Sequence, residues 1–315
     1  PFRPLNRHRL NWATTNIRSL QKNLNELNFL LSSHSLDIAC ITETWLDKSI
    51  PNGLICSPDF NVIRYDRPTR GGGIAVFIKS EFSYNSVEIP SDFNSIEIVC
   101  VDIKLFNCIT RVIAFYRPPG FGADESLYAT QSVKLFNLLC SNHHNVVFLG
   151  DFNLSSVDWC IYHAPKNSVY EFLTFFYEHC FFQHVVLPTR DNHILDLVLS
   201  TDHQFVNDIA ILPPIGSSDH NVVLFSSLCN SLDVPTSSES VYTKWCWSKA
   251  NYELINIDLL QINWNAIFQY CFSADDCFNS FIDIIFVICH KHVPIQTCSS
   301  NTHTRRRSNN YKYPR

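Results

Sequence analysis

The residues with the clearest chemical potential lie at 150–153, where an apolar run ends in Gly-Asp-Phe-Asn. The preceding Val-Val-Phe-Leu is short and rich in β-branched and aromatic residues, which is typical of a buried strand. In an extended chain, side chains two positions apart point to the same side, so Asp151 and Asn153 would place a carboxylate beside a carboxamide. A turn built on Asp and Asn explains these residues equally well when they are taken alone.

Polar side chains of related types occur at the ends of other predicted strands. They are Asn16, Glu43, Tyr116, Asp196, Asp219 and His220. Each has an ordinary structural explanation, such as a helix N-cap region for Asn16, a surface carboxylate for Glu43 or a turn for Asp219 and His220. Six apolar strands that all end in such groups are harder to explain in this way. In a two-layer β-sandwich the strand ends of both sheets can meet along one edge.

This combination of side chains suits the metal-assisted hydrolysis of a phosphodiester. Glu43 and Asp219, with Asn16 close by, offer the oxygen ligands that Mg²⁺ prefers. The cation would act as a Lewis acid on the phosphate and stabilise the leaving oxygen. Asp151 could accept a proton from the attacking water.

Three further residues would support that reaction. Asn153 could hold the Asp151 carboxylate or donate to the phosphate. His220, if Asp196 orients it, would present an N–H to the charge that develops on phosphorus. An Asp–His hydrogen bond of this kind fixes the tautomer of the imidazole.

Apolar periodicity predicts the elements that position these residues. Strands are predicted at 10–15, 37–42, 74–78, 82–89, 95–105, 109–116, 146–149, 195–200 and 221–225, and helices at 19–33, 125–140, 167–178, 249–261 and 274–292. Residues 46–70 are predicted as a loop with short extended pieces. The three glycines at 71–73 are predicted as a turn that leads into a strand, because no Lys-Ser/Thr follows to complete a phosphate-binding loop. The order of elements indicates a β-α-β start followed by antiparallel strands.

Composition narrows the class of protein. Of 315 residues 46% are apolar and 17% charged, which provides for a packed core. The net charge of −5 excludes a protein that binds nucleic acid through overall basic charge. Thirteen cysteines without a Cys-x-x-Cys pair predict free, buried thiols in a reducing intracellular compartment. No apolar run has the length of a membrane span. The lack of methionine and the start at Pro1 predict a fragment of a longer product.

Six short motifs occur in a fixed order along the chain. They are Thr15-Asn16-Ile17-Arg18-Ser19-Leu20, Ile41-Thr42-Glu43-Thr44-Trp45, Tyr116-Arg117-Pro118-Pro119, Gly150-Asp151-Phe152-Asn153, Leu195-Asp196-Leu197-Val198 and Ser218-Asp219-His220. This ordered set, over about residues 10–226, resembles the endonuclease/exonuclease/phosphatase superfamily, the fold of DNase-I-like nucleases and apurinic/apyrimidinic endonucleases. The Gly-Gly-Gly-Ile-Ala-Val-Phe stretch at 71–77 and the Leu-Asp-Leu-Val-Leu at 195–199 resemble the endonuclease domain of non-LTR (LINE-type) retrotransposons.

The resemblance implies an α+β fold: a two-layer β-sandwich flanked by helices, in four α/β/β/α layers, with a C-terminal helical extension. The expected divisions are an endonuclease/exonuclease/phosphatase domain at 1–228, a Ser/Pro-rich linker at 229–247, a helical segment at 248–292 and a basic tail at 293–315. In the retrotransposon polyproteins the helical segment precedes a reverse transcriptase.

The resemblance also implies a role for each site residue. The metal ligands would be Glu43, Asn16 and Asp219, the catalytic residues Asp151, Asn153, Tyr116, Asp196 and His220, and Thr189 would contact the substrate in the cleft. Arg117 and Arg70 are further expected substrate contacts, as local arginines that could bind phosphates. Arg18 departs from the pattern, because apurinic endonucleases have at that place an aspartate that helps to hold metal. This difference argues against abasic-site repair.

The expected function is a Mg²⁺-dependent endonuclease, with Mn²⁺ as an alternative cofactor, that nicks double-stranded DNA. The 3′-hydroxyl would prime reverse transcription, with the element RNA and a reverse transcriptase domain as partners, no membrane partner, and a nuclear location during the reaction. Two alternatives remain open. One is a phosphodiesterase or phosphatase of the same fold that acts on a lipid or on RNA, and the other is an inactive, domesticated remnant that binds nucleic acid.

Overall fold

The computed structural model describes residues 6–106, 108–120, 124–141, 143, 145–159, 163–164, 167–231, 241–245, 249–269, 271 and 273–299. The chain divides into two compact units, Pro1–Leu232 and Asp233–Arg315.

The first unit is built from twelve strands and three α-helices within its described residues. The strands are β1 (Asn6–Asn16), β2 (Ile38–Thr42), β3 (Phe60–Tyr65), β4 (Ile74–Lys79), β5 (Tyr84–Val87), β6 (Glu97–Leu105), β7 (Cys108–Tyr116), β8 (Val146–Asp151), β9 (Phe182–Gln183), β10 (Asp196–Ser200), β11 (Val206–Leu212) and β12 (Val222–Ser231). The helices are α1 (Leu24–Ser33), α2 (Glu125–Cys140) and α3 (Asn167–Glu178).

The strands form two six-stranded sheets that pack face to face. The first has the order β11-β12-β1-β2-β4-β3 and the second β5-β6-β7-β8-β10-β9. The pairs β1–β2 and β7–β8 are parallel, and the other neighbours are antiparallel. One apolar core lies between the sheets, a second lies between the first sheet and α1, and a third lies between the second sheet and the pair α2 and α3. The predicted α+β sandwich flanked by helices is confirmed.

The two-residue period of the strands decides which core each side chain enters. In β8, Val147 and Leu149 belong to the core between the sheets, whereas Phe148 belongs to the core beneath α2 and α3. In β1, Trp12 faces the inter-sheet core and Ala13 packs on the side of α1. Position along a strand therefore determines which side chains can reach the space between the sheets.

The second unit contains two strands and three helices in its described residues. They are β13 (Val241–Trp245), β14 (Ile295–Ser299), α4 (Tyr252–Leu260), α5 (Trp264–Phe268) and α6 (Ala274–His292). The two strands pair antiparallel. Each helix is preceded by an N-cap residue whose side chain accepts a hydrogen bond from the backbone N–H three positions later. The N-caps are Asn251, Asn263 and Ser273. Among the helices described, none is long and apolar enough to cross a membrane.

The predicted helix at 19–33 starts too early. Helix α1 begins at Leu24, because the backbone N–H groups of Ser19 and Leu20 donate to Glu43 and Thr44 carbonyls in the loop after β2. Leu20 is fully buried, so it fits the apolar period although it lies outside the helix. The predicted helix at 249–261 likewise shortens to α4, whereas the bounds of α6 agree with the prediction.

Other segments contain more strand than was predicted. The stretch 46–70 includes the edge strand β3, whose six residues are all half-buried and so lack the alternation that signals a strand. Strand β11 was not predicted at all. Strand β12 extends through Ser231 into the predicted linker, β13 also lies in that linker, and β14 lies in the predicted basic tail. The rest of that tail, 300–315, falls outside the described residues.

Nine cysteines are free thiols among the residues whose side chains are described, which agrees with the predicted free thiols, but their predicted burial holds for only some of them. Cys40 and Cys100 are buried, whereas Cys108 and Cys180 are exposed.

Candidate active site

The polar side chains predicted at strand ends come together between the two sheets, at one edge of the sandwich. Asn16, Tyr116, Asp151 and Asp196 each lie two or four positions from a side chain of the inter-sheet core on the same strand. The alternation of the strand therefore turns all four towards the opposite sheet. At this edge the apolar core gives way to a buried polar cluster.

Asp151 and Asn153 are joined by a turn. Asn153 has a φ of 48°, and its backbone N–H donates to Asp151 Oδ1 at 3.0 Å. Phe152 between them is fully buried among the rings beneath α2 and α3, with its centroid 4.9 Å from that of Phe115. The chain is therefore not extended at Asn153, so the alternative of an Asp/Asn turn holds here, and the alignment that an extended chain would give does not apply.

Gly150 is required by the close approach of β7 to β8. Its φ is +129°, and a Cβ at this position would lie 2.1 Å from the Phe115 carbonyl oxygen. Arg117 donates its backbone N–H to the Asp151 carbonyl at 2.9 Å. The glycine thus lets the second sheet deliver Asp151 to the cleft.

The Asn16 amide connects the two sheets. Its Nδ2 donates to Glu43 Oε1 at 2.8 Å and to Asp151 Oδ2 at 2.9 Å. Its Oδ1 accepts the backbone N–H of Arg18 at 3.2 Å. One amide therefore separates two carboxylates that would otherwise repel each other, and the Arg18 N–H fixes which way it points.

Glu43 is a half-buried carboxylate held by three donors. Besides Asn16, Tyr116 Oη donates to Oε1 at 2.9 Å and Trp45 Nε1 donates to Oε2 at 3.2 Å. Glu43 itself adopts a φ of 52°, just after the end of β2. Burial and the neighbouring Glu43 charge raise the pKa of Tyr116, so its phenol stays protonated and remains a donor.

Asp196, His220 and Asp151 form a buried chain of three ionisable groups. His220 Nδ1–H donates to Asp196 Oδ2 at 2.7 Å, and His220 Nε2 lies 3.8 Å from Asp151 Oδ2. The three side chains are at most 2% exposed, and Asp196 lies directly opposite Asp151 in the β8–β10 register. Thr189 Oγ1 accepts the backbone N–H groups of Leu195 and Asp196 at 3.0 Å each and holds the start of β10.

The ionisation of this chain follows from its surroundings. Burial, together with the nearby charge of Asp196, raises the pKa of Asp151 to about 7. Burial alone would lower the pKa of His220, but the hydrogen bond and charge of Asp196 and the charges of Asp151 and Asp219 raise it to about 9. Between pH about 7 and pH about 9, Asp151 is therefore a carboxylate and His220 an imidazolium.

The donor set of the cleft fits a hard divalent cation. Glu43 offers a half-buried carboxylate, with Asn16 hydrogen-bonded to it. Asp196 Oδ1 is buried and accepts no hydrogen bond from any residue that the structure describes. Asp151, Asp196 and His220 also bring ligand atoms within 4.8 Å of one another and form a second group that could hold a cation. Glu43, whose hydrogen-bond partners are all neutral donors, is the other candidate ligand.

Asp219 lies between two arginines. Its Oδ1 is 3.3 Å from Arg18 Nη1, and its Oδ2 is 2.7 Å from Arg190 Nη2. Its assignment as a metal ligand stays a prediction.

The predicted substrate contacts lie in different environments. Thr189 is fully buried beneath Asp196. Arg117 is 5% exposed, and its guanidinium donates to Glu125 Oε1 at 2.6 Å and to the Asn153 carbonyl at 3.1 Å, while Asn153 Nδ2 donates to the Arg117 carbonyl at 2.7 Å. Arg70 is exposed in the bend before β4. Thr189 and Arg117 thus support the site from below, and their predicted contacts with substrate remain untested.

Sequence reasoning missed an ion pair beneath Glu43. Glu97 Oε1 accepts from Arg67 Nε at 2.7 Å, and its Oε2 accepts the Gly73 N–H at 2.6 Å. The Arg67 guanidinium lies 5.7 Å from the centroid of the Tyr116 ring. The available signal was a glutamate followed by four apolar residues at the start of a predicted strand, with an arginine ahead of the glycine run. The pair places the glycine turn and Tyr116 against the loop that bears Glu43.

Comparison with known proteins identifies a family. The Endonuclease/Exonuclease/phosphatase family matches residues 13–220. No curated protein matches the chain.

Solved structures of the same fold cover about 70% of the chain. The endonuclease domain of TRAS1, a telomere-specific non-LTR retrotransposon, is 15% identical, with a TM-score of 0.55 over 70% of this chain and 98% of that one. An AP endonuclease from Archaeoglobus fulgidus is 17% identical, with a TM-score of 0.55 over 71% and 100%. Mannosyl-6-phosphatase from Bacteroides thetaiotaomicron is 13% identical, with a TM-score of 0.53 over 70% and 99%. At these identities the likeness shows the fold alone.

Proposed function

The chain belongs to the endonuclease/exonuclease/phosphatase family, and on that premise we propose that it is a divalent-metal-dependent endonuclease that nicks DNA. The observation that carries the proposal is the continuous network from Glu43 through Asn16, Asp151 and His220 to Asp196. It joins a ligand for a hard cation, a general base and an imidazolium in one cleft.

The residues of the cleft divide the hydrolysis among them. A cation held by Glu43, with Asn16 beside it, would supply Lewis-acid charge to the phosphate. Asp151, held by Asn16 and by the N–H of Asn153, takes the proton of the attacking water as its oxygen bonds to phosphorus. The P–O3′ bond breaks, and O3′ leaves as an alkoxide that the bound cation would stabilise and that takes a proton from solvent water, which gives a 3′-hydroxyl and a 5′-phosphate. His220 donates an Nε2 hydrogen bond to the charged phosphate oxygen, and Asp196 maintains its orientation.

We further propose that the DNA nick serves a non-LTR retrotransposon. The supporting observations are the Gly-Gly-Gly-Ile-Ala-Val-Phe and Leu-Asp-Leu-Val-Leu motifs and the shared fold with the TRAS1 endonuclease domain. The 3′-hydroxyl would prime reverse transcription of the element RNA by a reverse transcriptase domain, with double-stranded chromosomal DNA as the target, in the nucleus. Arg18, in place of a metal-holding aspartate, weighs against abasic-site repair.

A phosphatase or phosphodiesterase with another substrate is the second candidate. The mannosyl-6-phosphatase shares the fold with nucleases, and a fold does not determine the substrate. An inactive remnant is less consistent with the site, because every member of the buried network is present.

Nicking of supercoiled plasmid in Mg²⁺ tests the proposal. Asp151→Ala and His220→Ala should each abolish the open-circular product while the far-ultraviolet circular dichroism stays unchanged. Asp208→Ala, which removes an exposed carboxylate, should nick normally. Full activity of either site variant contradicts the mechanism. Turnover of a phosphoinositide but not of plasmid by the wild-type protein favours the second candidate, and DNA binding without cleavage favours the remnant.

A further inference from the structure

We propose that Arg18 and Arg190 form a clamp for a DNA backbone phosphate beside the reacting phosphodiester, and that Asp219 anchors this clamp instead of binding metal. The inference rests on the proposed function and deepens it, because it assigns the grip on the polyanion to one pair of side chains.

Each member of the clamp is next to the catalytic network. Arg18 follows Asn16 by two residues, and its backbone N–H donates to Asn16 Oδ1 at 3.2 Å. Asp219 immediately precedes His220, and its charge contributes to the high pKa of that histidine. Arg190 immediately follows the residue that supports Asp196. A phosphate that the arginines hold is therefore adjacent to the phosphate that reacts.

The backbone around the clamp is held in defined conformations. Arg18 and the next residue, Ser19, have φ values of 45° and 94°, in the left-handed region that residues with a Cβ rarely adopt. The Ser19 N–H donates to the Glu43 carbonyl at 2.9 Å and so maintains this bend. On the other side, the Asn221 N–H donates to the Thr189 carbonyl at 2.7 Å. This second bond ties the Arg190 segment to the Asp219 segment, and Ser218 Oγ, which donates to the Asn16 carbonyl, ties the Asp219 segment to the Arg18 segment.

Exposed guanidinium donors point to an anionic ligand. Two guanidinium groups share the Asp219 carboxylate, and the exposed Asp191 lies 4.0 Å from Arg190 Nε, so the four charges balance and the proposal depends on the N–H donors that these carboxylates leave unused. The side chains of Arg18 and Arg190 are 46% and 38% exposed. A guanidinium has five N–H donors, and one carboxylate cannot satisfy two of them. The oxygens of a phosphodiester match the remaining donors in geometry and charge.

The same contacts disfavour a metal at Asp219. Arg190 Nη2 lies 2.7 Å from Oδ2 and Arg18 Nη1 lies 3.3 Å from Oδ1, although Oδ1 is buried and accepts no hydrogen bond from the residues that the structure describes. A divalent cation at Oδ1 would face the repulsion of two guanidinium groups. Glu43, whose partners are neutral donors, has no such competitor.

Duplex binding measures the clamp directly. In Ca²⁺, we expect Arg18→Ala and Arg190→Ala to bind a fluorescent duplex oligonucleotide about tenfold more weakly than the wild-type chain. Each variant should also lower the slope of log K against log salt by about 0.9 for every phosphate that its arginine no longer neutralises. Lysine at either position should restore part of the affinity, because it keeps the positive charge but lacks the paired N–H donors of a guanidinium.

Arg9→Ala is the matched control. Arg9 also pairs with an aspartate, at 3.2 Å from Asp208, and is 57% exposed. It lies seven residues before Asn16 on β1, about 23 Å away along the strand. This variant should bind like the wild type. Affinity and salt slope in the Arg18 and Arg190 variants equal to those of Arg9→Ala would overturn the clamp.

Metal binding tests the role of Asp219 independently of activity. Titration with Mn²⁺, followed by electron paramagnetic resonance, should show wild-type affinity for Asp219→Asn and at least tenfold weaker binding for Glu43→Gln. An equal loss in both variants overturns the anchor assignment. A wild-type chain that binds Mn²⁺ but no duplex at low salt refutes the proposed function itself, whereas a chain that binds and nicks DNA with both arginines removed refutes only the clamp.

Discussion

The two ends of the β-sandwich differ in whether their ionisable side chains are buried or exposed. At the site end Asp151, Asp196 and His220 are almost fully buried and interact with one another. At the other end Arg9 and Asp208 form an ion pair with side chains 57% and 66% exposed. Exposed pairs contribute about 0–1 kcal/mol and require no special explanation, whereas burying like charges opposes folding. The buried charges at the site end therefore lower the stability of the fold, and the proposed hydrolysis would make use of them.

Strand β6 carries two ion pairs at different distances from the site. Glu97 pairs with Arg67, in the segment between β3 and β4, near the site, and Asp102 pairs with Arg111 of β7 towards the opposite end. Each end thus supplies a control for the other, and the comparison can be tested by matched substitutions.

The largest effect is expected from Asn16→Asp. A third carboxylate would replace the amide that donates to Glu43 and Asp151, so kcat for nicking should fall at least about 100-fold. The control is Asn11→Asp on the same strand, whose amide donates to the His34 and Ser35 carbonyls. It should change the melting temperature but not kcat. Equal kcat losses in both variants would remove the distinction between the two ends.

A smaller effect is expected from Glu97→Gln. The loss of the charge partner of Arg67 loosens the support of Tyr116 and the glycine turn, and kcat should fall about tenfold with KM nearly unchanged. Asp102→Asn is the control, because it breaks a bidentate pair between Asp102 of β6 and Arg111 of β7, in which both hydrogen bonds are 2.7 Å long. Both variants should melt at lower temperature, but only the first should lose kcat. A kcat loss in Asp102→Asn would show that stability alone controls activity.

The smallest effect concerns stability against pH in EDTA. The pKa of Asp151 rises on folding from 3.8 to about 7, and that of His220 from 6.5 to about 9. Both groups bind protons more tightly when folded, so they favour the folded state at low pH, and this contribution disappears as pH rises to 9. The melting temperature should therefore fall over that range.

Two substitutions separate the contributions to this pH dependence. Asp151→Asn should flatten the slope of melting temperature between pH 4 and 7, and His220→Gln should flatten it between pH 6.5 and 9. Asp208→Asn, at the exposed end, should leave the slope unchanged. Identical slopes in the wild-type protein and the Asp151 and His220 variants would show that the buried cluster does not perturb these protons.

Much of the fold followed from local patterns. Helix α6 was predicted to the residue, and strand β8 was recognised from four apolar residues. The failures have a common cause. Leu20 is buried although it lies in a loop, so its position matches the helical period without a helix. Strands β3 and β11 lie at the edges of the first sheet and have no fully buried residue, so only their pairing identifies them as strands.

The sequence predicted which residue types form the candidate site, but not which of them contact one another. The sequence indicated that Asn16, Asp151 and His220 lie at strand ends, yet nothing local showed that the Asn16 amide lies between two carboxylates. That contact joins residues 135 positions apart. The Arg67–Glu97 pair and the arginines at Asp219 were missed for the same reason, since each joins distant segments.

The sequence alone determined the chemistry that is available at the cleft. The two-residue period of the strands turns Asn16, Tyr116 and Asp151 towards the inter-sheet space, and this follows from chain geometry alone. The tertiary structure decided which groups share protons and charges. Stacking of the two sheets brings their strand ends together, so that Tyr116 of the second sheet donates to Glu43, which follows a strand of the first. The turn at Asn153 is maintained by Asp151 and by the Arg117 carbonyl, within the second sheet. At residues 150–153 the structure shows a turn, and this turn holds Asp151 in the candidate site.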